Sequence, residues 1–153
     1  MRKLRNRRFM MGLLMVPLVA LFLIVREQLS WRPRVLPHSS AVMALSFSPD
    51  GTLLASASVG KVVLWDAKRA NRVRTLPVNP LAWFRSATFS GDGQTLATAG
   101  SGRGAQIWDV QTGELRRSVE NQVFWTESCA LSPDSTLIAG WSLGSTSFVL
   151  WDA

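Results

Sequence analysis

Three aspartates recur along the chain at a regular interval and are the first candidates for chemistry. Asp66, Asp109 and Asp152 each follow a tryptophan, and successive Trp-Asp pairs are 43 residues apart. A ring of carboxylates would suit a hard cation. However, an aspartate directly after a strand-ending tryptophan commonly accepts backbone N–H bonds in the coming turn. We interpret these residues as structural, and we expect no metal ion and no cofactor.

The single histidine and the single cysteine limit the catalytic options. Any Ser-His-Asp relay would have to use His38, and one histidine cannot supply a His-paired metal site. Cys129 has no second cysteine for a disulfide or a thiolate metal site. It lies in an apolar strand pattern, which favours a small buried core residue. No catalytic residue is predicted, and we do not expect an enzyme.

A glycine-rich segment, Gly-Ser-Gly-Arg-Gly at 100–104, has the composition of a phosphate-binding loop. Such a loop needs a helix N-terminus directly after it to complete the anion site. Here a short run ending in Ile107-Trp108 follows, which is typical of a strand. The segment is therefore predicted to be the turn of a β-hairpin.

The blocks that must position these residues occur three times. Phe47, Phe89 and Leu131 are spaced by 42 residues, and each opens a block similar to Phe-Ser-Pro-Asp-Gly-Thr-Leu-Leu-Ala-Ser. Apolar runs on either side of such a turn predict antiparallel hairpins. Each repeat is therefore predicted to be a four-stranded antiparallel sheet. In the first repeat the strands are expected near 42–47, 53–58, 62–65 and 72–76.

At these residues the chain resembles the WD-repeat β-propeller family, whose repeats of about 40 to 45 residues end in Trp-Asp. The resemblance implies an all-β partial propeller of three four-stranded blades at 38–76, 77–119 and 120–153, the third without its outer strand. Of the family's hydrogen-bonded set, only His38, Ser56 and Trp65 match. The structural repeat signature comprises His38, Ser56, Trp65, Asp66, Trp108, Asp109, Trp151 and Asp152. This scaffold serves many roles, so the resemblance implies a fold and not an activity.

A second repeated motif is not explained by the blade pattern. Trp83 and Trp125 lie 42 residues apart, and a charged residue follows each of them closely. By the resemblance, both lie in loops between blades, at a blade end that often binds partners. Aromatic residues beside charges are typical of interaction hot spots. The candidate partner-binding residues are Trp83, Phe84, Arg85, Trp125 and Glu127; alternatively, both tryptophans wedge between blades as core.

Positive charge is concentrated ahead of the repeats. Residues 1–34 contain eight basic residues and one acidic residue, which accounts for the net charge of +7. A nucleic-acid-binding fold usually carries its basic residues on a face of the folded domain. Because the remaining residues balance to zero, no nucleic-acid partner is expected.

An uncharged run of seventeen residues extends from Phe9 to Val25. At about 1.5 Å per residue it reaches the short limit of a membrane-spanning helix. No small-x-small pair follows it, which favours an uncleaved signal anchor over a signal peptide. More basic residues precede the run than follow it, so we expect a cytoplasmic N-terminus and extracytoplasmic repeats. The predicted order is a basic flank at 1–8, a transmembrane signal anchor at 9–25 and a linker at 26–37.

Three blades are fewer than the four to eight of closed propellers. We therefore expect either further blades from a longer chain or a strand-swapped homodimer, with Arg32 to Pro37 as a candidate outer closing strand. The expected function is a membrane-tethered scaffold that binds a protein or peptide partner. The alternative is a ligand-binding or enzymatic propeller with a site in its central channel.

Overall fold

The computed structural model describes residues 33–101, 104–120 and 126–153, and residues 36–153 form one compact unit. Within the described residues the regular elements are all β-strands, which confirms the all-β fold. The strands are β1 Val42–Phe47, β2 Leu53–Ser58, β3 Lys61–Asp66, β4 Asn71–Thr75, β5 Phe84–Phe89, β6 Thr95–Gly100, β7 Gly104–Asp109, β8 Leu115–Glu120, β9 Ser128–Leu131, β10 Leu137–Trp141 and β11 Phe148–Asp152.

The predicted membrane anchor at 9–25 lies outside the described residues. Among the residues that are described, no helix is long and apolar enough to cross a membrane.

The strands form three antiparallel sheets, which we call blades 1, 2 and 3. Blade 1 has the order β1-β2-β3-β4 and blade 2 the order β5-β6-β7-β8, whereas the described residues of blade 3 form a three-stranded sheet with the order β11-β10-β9. Blades 1 and 2 therefore have the predicted four strands, and the described part of blade 3 has three strands without an outer one, as predicted. Residues 33–38, which include most of the candidate closing strand, adopt no regular secondary structure.

The same turn chemistry joins the first and second strands of every blade. In blade 1, Asp50 Oδ1 accepts hydrogen bonds from Ser48 Oγ at 2.5 Å and from the Thr52 N–H at 3.0 Å. The serine hydroxyl and then the backbone N–H lower the pKa of Asp50 to about 2. The equivalent pairs are Ser90 with Asp92 and Ser132 with Asp134. A Ser-x-Asp pattern thus fixes each hairpin at one end of its blade.

The hydrophobic core lies between neighbouring blades. Ala55, Ala57 and Leu64 of blade 1 are at most 1% exposed and cluster with Phe84 and Phe89 of blade 2. Blades 2 and 3 meet through a second cluster that includes Ala97, Ala99, Ala105, Ile107, Cys129 and Ile138. Alanines in the second strand keep each sheet thin, so that the next blade packs closely against it.

The tryptophan of each third strand occupies the same register position, opposite Leu54, Leu96 or Ile138. Trp65 Nε1 donates to Ser56 Oγ at 2.8 Å, and His38 Nε2 lies 3.1 Å from the same oxygen.

In blade 2, Trp108 Nε1 donates to Thr98 Oγ1 at 2.9 Å. Blade 3 has Gly140 at the equivalent position. Trp151 packs so closely there that a Cβ would lie 2.8 Å from its ring.

Thr98→Val tests the tryptophan hydrogen bond, because it keeps the side-chain volume and removes the acceptor. We expect the free energy of unfolding to fall by about 1 to 3 kcal/mol, since a buried N–H loses its partner. In a Trp108→Phe background, which has no N–H donor, the same change should cost clearly less. Urea denaturation of the four proteins measures this coupling. Equal costs in the two backgrounds would contradict the assignment.

Candidate functional site

Trp83 lies in the loop that joins β4, the outer strand of blade 1, to β5, the innermost strand of blade 2. This loop runs beside the β2–β3 turn: the Gly60 N–H donates to Ala82 O at 2.7 Å, and Val59 forms an isolated antiparallel bridge with Trp83. The loop therefore shares a blade end with the β2–β3 turn, as the family resemblance implies. We call this end the rim.

The backbone around Trp83 is held by hydrogen bonds on both sides. Its N–H donates to Ser101 Oγ at 2.5 Å, and its carbonyl accepts from the Ser101 N–H at 2.6 Å. The Leu81 N–H donates to Asn79 Oδ1 at 2.9 Å. The Trp83 side chain is nevertheless 50% exposed and that of Leu81 82% exposed. These two residues, the rim pair, present apolar surface on a fixed backbone, and Trp83 is not the core wedge of the alternative interpretation.

Two glycines allow the loop to lie against both blades. At Gly60, where φ is +65°, a Cβ would lie 2.1 Å from the carbonyl oxygen of Pro80. At Gly100, a Cβ would lie 1.6 Å from the carbonyl oxygen of Trp83. A side chain at either position would displace the loop. No sequence pattern indicates this role, because the close approach arises only when the two blades pack together.

One other predicted partner-binding residue is not available at the rim. Phe84 is 4% exposed and belongs to the core between blades 1 and 2, so its side chain does not face a partner. This placement corrects the sequence interpretation: Trp83 precedes β5, whereas Phe84 begins that strand and faces inward. Trp125 lies outside the described residues. Leu81, which the sequence interpretation missed, is the more exposed neighbour of Trp83.

Arg85 and Glu127 form an ion pair with each other. Arg85 Nη1 lies 2.9 Å from Glu127 Oε2, and their side chains are 36% and 13% exposed. Arg85 stands at a β-bulge, since the register of β5 against β6 shifts between Phe84 and Ser86. Bulges re-aim side chains. The pair joins β5 of blade 2 to the residue that directly precedes β9 of blade 3, and its charges neutralise each other instead of facing a partner independently.

The aspartates of the Trp-Asp pairs make local bonds in the turns that follow them. Asp66 Oδ1 accepts from the Arg69 N–H at 2.7 Å, and Asp109 Oδ1 accepts from the Thr112 N–H at 2.7 Å. These backbone bonds are the first cause that lowers the pKa of both groups, to about 2 for Asp109. Asp152 ends β11. Across the described ranges, no three histidine, cysteine, aspartate or glutamate side chains converge on one metal position.

His38 and Cys129 both have structural surroundings. Burial, followed by the positive charge of Lys61, lowers the pKa of His38, which disfavours the protonated ring beside Ser56. Cys129 is 8% exposed at the contact between blades 2 and 3, and its N–H donates to Ser86 Oγ at 3.1 Å. Burial raises the pKa of the Cys129 thiol to about 11, so it is not a reactive thiolate at neutral pH.

Known proteins share this architecture. A family model described as "WD domain, G-beta repeat" matches residues 32–66 and 71–109. Among solved structures, the chain is similar to "Kuenenia stuttgartiensis Hydrazine Synthase", with a TM-score of 0.63 and 23% sequence identity over 72% of this chain and 34% of that chain. This chain thus spans about a third of the length of that relative. At this identity the likeness concerns the fold alone.

Alanine substitutions should separate the rim tryptophan from the core tryptophans. Trp108→Ala should lower the free energy of unfolding by about 3 to 5 kcal/mol, because it opens a large cavity. Trp83→Ala should cost clearly less, since half of that side chain is already in water. Chemical denaturation midpoints measure both changes. Equal losses would return Trp83 to the core and remove the proposed site.

Proposed function

Because this chain belongs to the WD-repeat family, we propose that it is a membrane-tethered scaffold that binds a protein or peptide partner at the rim. The family resemblance supports the general role of a protein-interaction module. The rim pair, Leu81 and Trp83, supports the position of the contact. Binding, not catalysis, is proposed.

The exposure of Trp83 on a fixed backbone is the observation that carries this proposal. Tryptophan is enriched among the residues that dominate binding energies, because one side chain removes a large apolar area from water. A loop that is already hydrogen-bonded loses little conformational entropy when a partner binds. The Ser101 bonds on either side of Trp83 provide that pre-organisation.

The Arg85–Glu127 ion pair supports a binding role over catalysis in the central channel. The sequence predicted these two residues as partner-binding residues and predicted no catalytic residue. Each is the other's partner at 2.9 Å, and both are partly buried. We propose that the pair stabilises the contact between blades 2 and 3 beside the rim.

The membrane tether is proposed from the amino-acid sequence. The uncharged run at 9–25, with its basic N-terminal flank, favours a single-pass signal anchor. In this arrangement the N-terminus is cytoplasmic, and the rim pair meets a partner on the other side of the membrane.

Site-specific crosslinking tests the rim contact. A photoreactive phenylalanine analogue at position 83, in the full chain in the membranes of its native cells, should give discrete adducts with a partner protein. The matched control carries the analogue at exposed Gln111, in the β7–β8 turn at the opposite blade end. Leu81→Asp should abolish the adducts at 83, because it places a charge in the apolar contact. Identical adducts at both positions, or none at 83, would remove the rim as the binding site.

Protease accessibility tests the tether and its orientation. Protease added to sealed cells or spheroplasts should digest the repeats, while a cytoplasmic marker protein stays intact. The membrane fraction should retain the chain after a high-salt wash. Protection of the repeats would reverse the proposed orientation, and a soluble product lacking the residues before about Gln28 would show that the segment is cleaved.

A further inference from the structure

A groove lies between blades 1 and 2 at the blade end opposite the rim. Strand β4 lines one side of it, and the β5–β6 and β7–β8 turns of blade 2 line the other. Its volume of about 390 Å³ is within the range of ligand-binding pockets. The lining combines apolar with charged residues, which are Leu53, Val73, Val110, Arg74, Asp109 and Arg116.

Blade 2 holds the side chain of Arg74 in place. Arg74 Nη2 donates to Gln111 O, in the β7–β8 turn, at 2.9 Å. Arg74 Cδ occupies the space beside Gly113, where a Cβ would lie 2.4 Å from it. Arg74 is partly buried, so its guanidinium has a defined position before any ligand binds. Such pre-organisation lowers the entropic cost of binding.

The positive charge of Arg74 has no carboxylate partner among the described residues. The other two charged residues of the groove pair with each other, since Arg116 Nε lies 3.1 Å from Asp109 Oδ2. Glu114, in the same turn as Gln111, forms no ion pair within the described ranges. A guanidinium has five N–H donors, and Arg74 uses one of them here. The groove therefore presents a fixed cation whose remaining donors are available to an anion.

The apolar part of the lining indicates which anion fits. Arginine binds carboxylates and phosphates through two parallel N–H···O bonds. Val73 is 52% exposed, and Leu53 and Val110 are partly exposed. An apolar side chain placed against these residues would remove their surface from water, whereas a phosphate ion would leave it uncovered. The lining thus favours a carboxylate with an apolar neighbour.

We propose that this groove binds a segment of a partner protein in which an aspartate or glutamate adjoins an apolar residue. The carboxylate accepts hydrogen bonds from the remaining N–H groups of Arg74, and the apolar side chain covers Leu53, Val73 and Val110. The groove and the rim lie at opposite blade ends, so the two contacts are independent. A photoreactive analogue at Gln111 would accordingly give adducts different from those at position 83.

Selection of a displayed library of random decapeptides on the full chain in mild detergent tests this proposal. The enriched peptides should include a class with an acidic residue beside an apolar one. Arg74→Gln should weaken the binding of this acidic class about 10-fold or more, because it removes charge-assisted hydrogen bonds. Arg72→Gln is the matched control, since it changes an exposed arginine of the same strand that does not line the groove. Trp83→Ala should also leave the acidic class unaffected, which separates the groove from the rim.

Charge changes at exposed Gln111 keep Arg74 intact and so separate binding from folding. Gln111→Glu should weaken the acidic class through like-charge repulsion, whereas Gln111→Lys should strengthen it. Thermal unfolding midpoints close to that of the unchanged chain show that both variants fold. The proposal is overturned if no acidic class is enriched, if that class binds Arg74→Gln as tightly as the wild-type chain, or if the two substitutions at position 111 have the same effect. Acidic peptides that depend on Trp83 and not on Arg74 would belong to the rim and would also overturn it.

Discussion

Packing between neighbouring blades is the interaction on which the rest of the structure depends. A single four-stranded sheet has apolar residues on both faces and cannot bury either face alone. The contact between Ala57 of blade 1 and the cluster that includes Phe84 of blade 2 sets how closely the two sheets approach. Because the sheets lie so close together, the loop of Trp83 fits between Gly60 and Gly100. The position of the rim therefore depends on how the core between blades 1 and 2 packs.

The three blades accommodate the equivalent tryptophans of their third strands in different ways. Ser56 and Thr98 supply a hydroxyl acceptor in blades 1 and 2, whereas blade 3 supplies a space at Gly140 for the ring of Trp151. In blade 1, the His38 ring lies with its centroid 6.4 Å from that of Trp65. Trp65 is only 5% exposed, although among the described residues no further blade packs on its side of blade 1. His38 thus helps to shield Trp65 from solvent, whereas the preceding blade covers the equivalent Trp108 of blade 2.

The amino-acid sequence predicted the elements that depend on local spacing. The 43-residue interval of the Trp-Asp pairs and the Ser-x-Asp turns located the hairpins to within a residue or two, and β2 has the predicted bounds at 53–58. The sequence did not predict the bulge at Arg85, its ion pair with Glu127 or the burial of Phe84, because these depend on strand register and on a neighbouring blade. Trp83 was found because it breaks the blade pattern, whereas Leu81 beside it carries no such signal.

Cys129 gives the contact between blades 2 and 3 an intrinsic chemical reporter. It is the only sulfhydryl of the chain, it is 8% exposed, and its raised pKa keeps it protonated in the closed state. A thiol-specific reagent attacks the ionised sulfur, so we expect modification to be fast only when blade 3 separates from blade 2. When such openings reclose faster than the reagent reacts, the labelling rate measures their equilibrium population. One native sulfur atom therefore reports how often blades 2 and 3 separate, without any substitution in the chain.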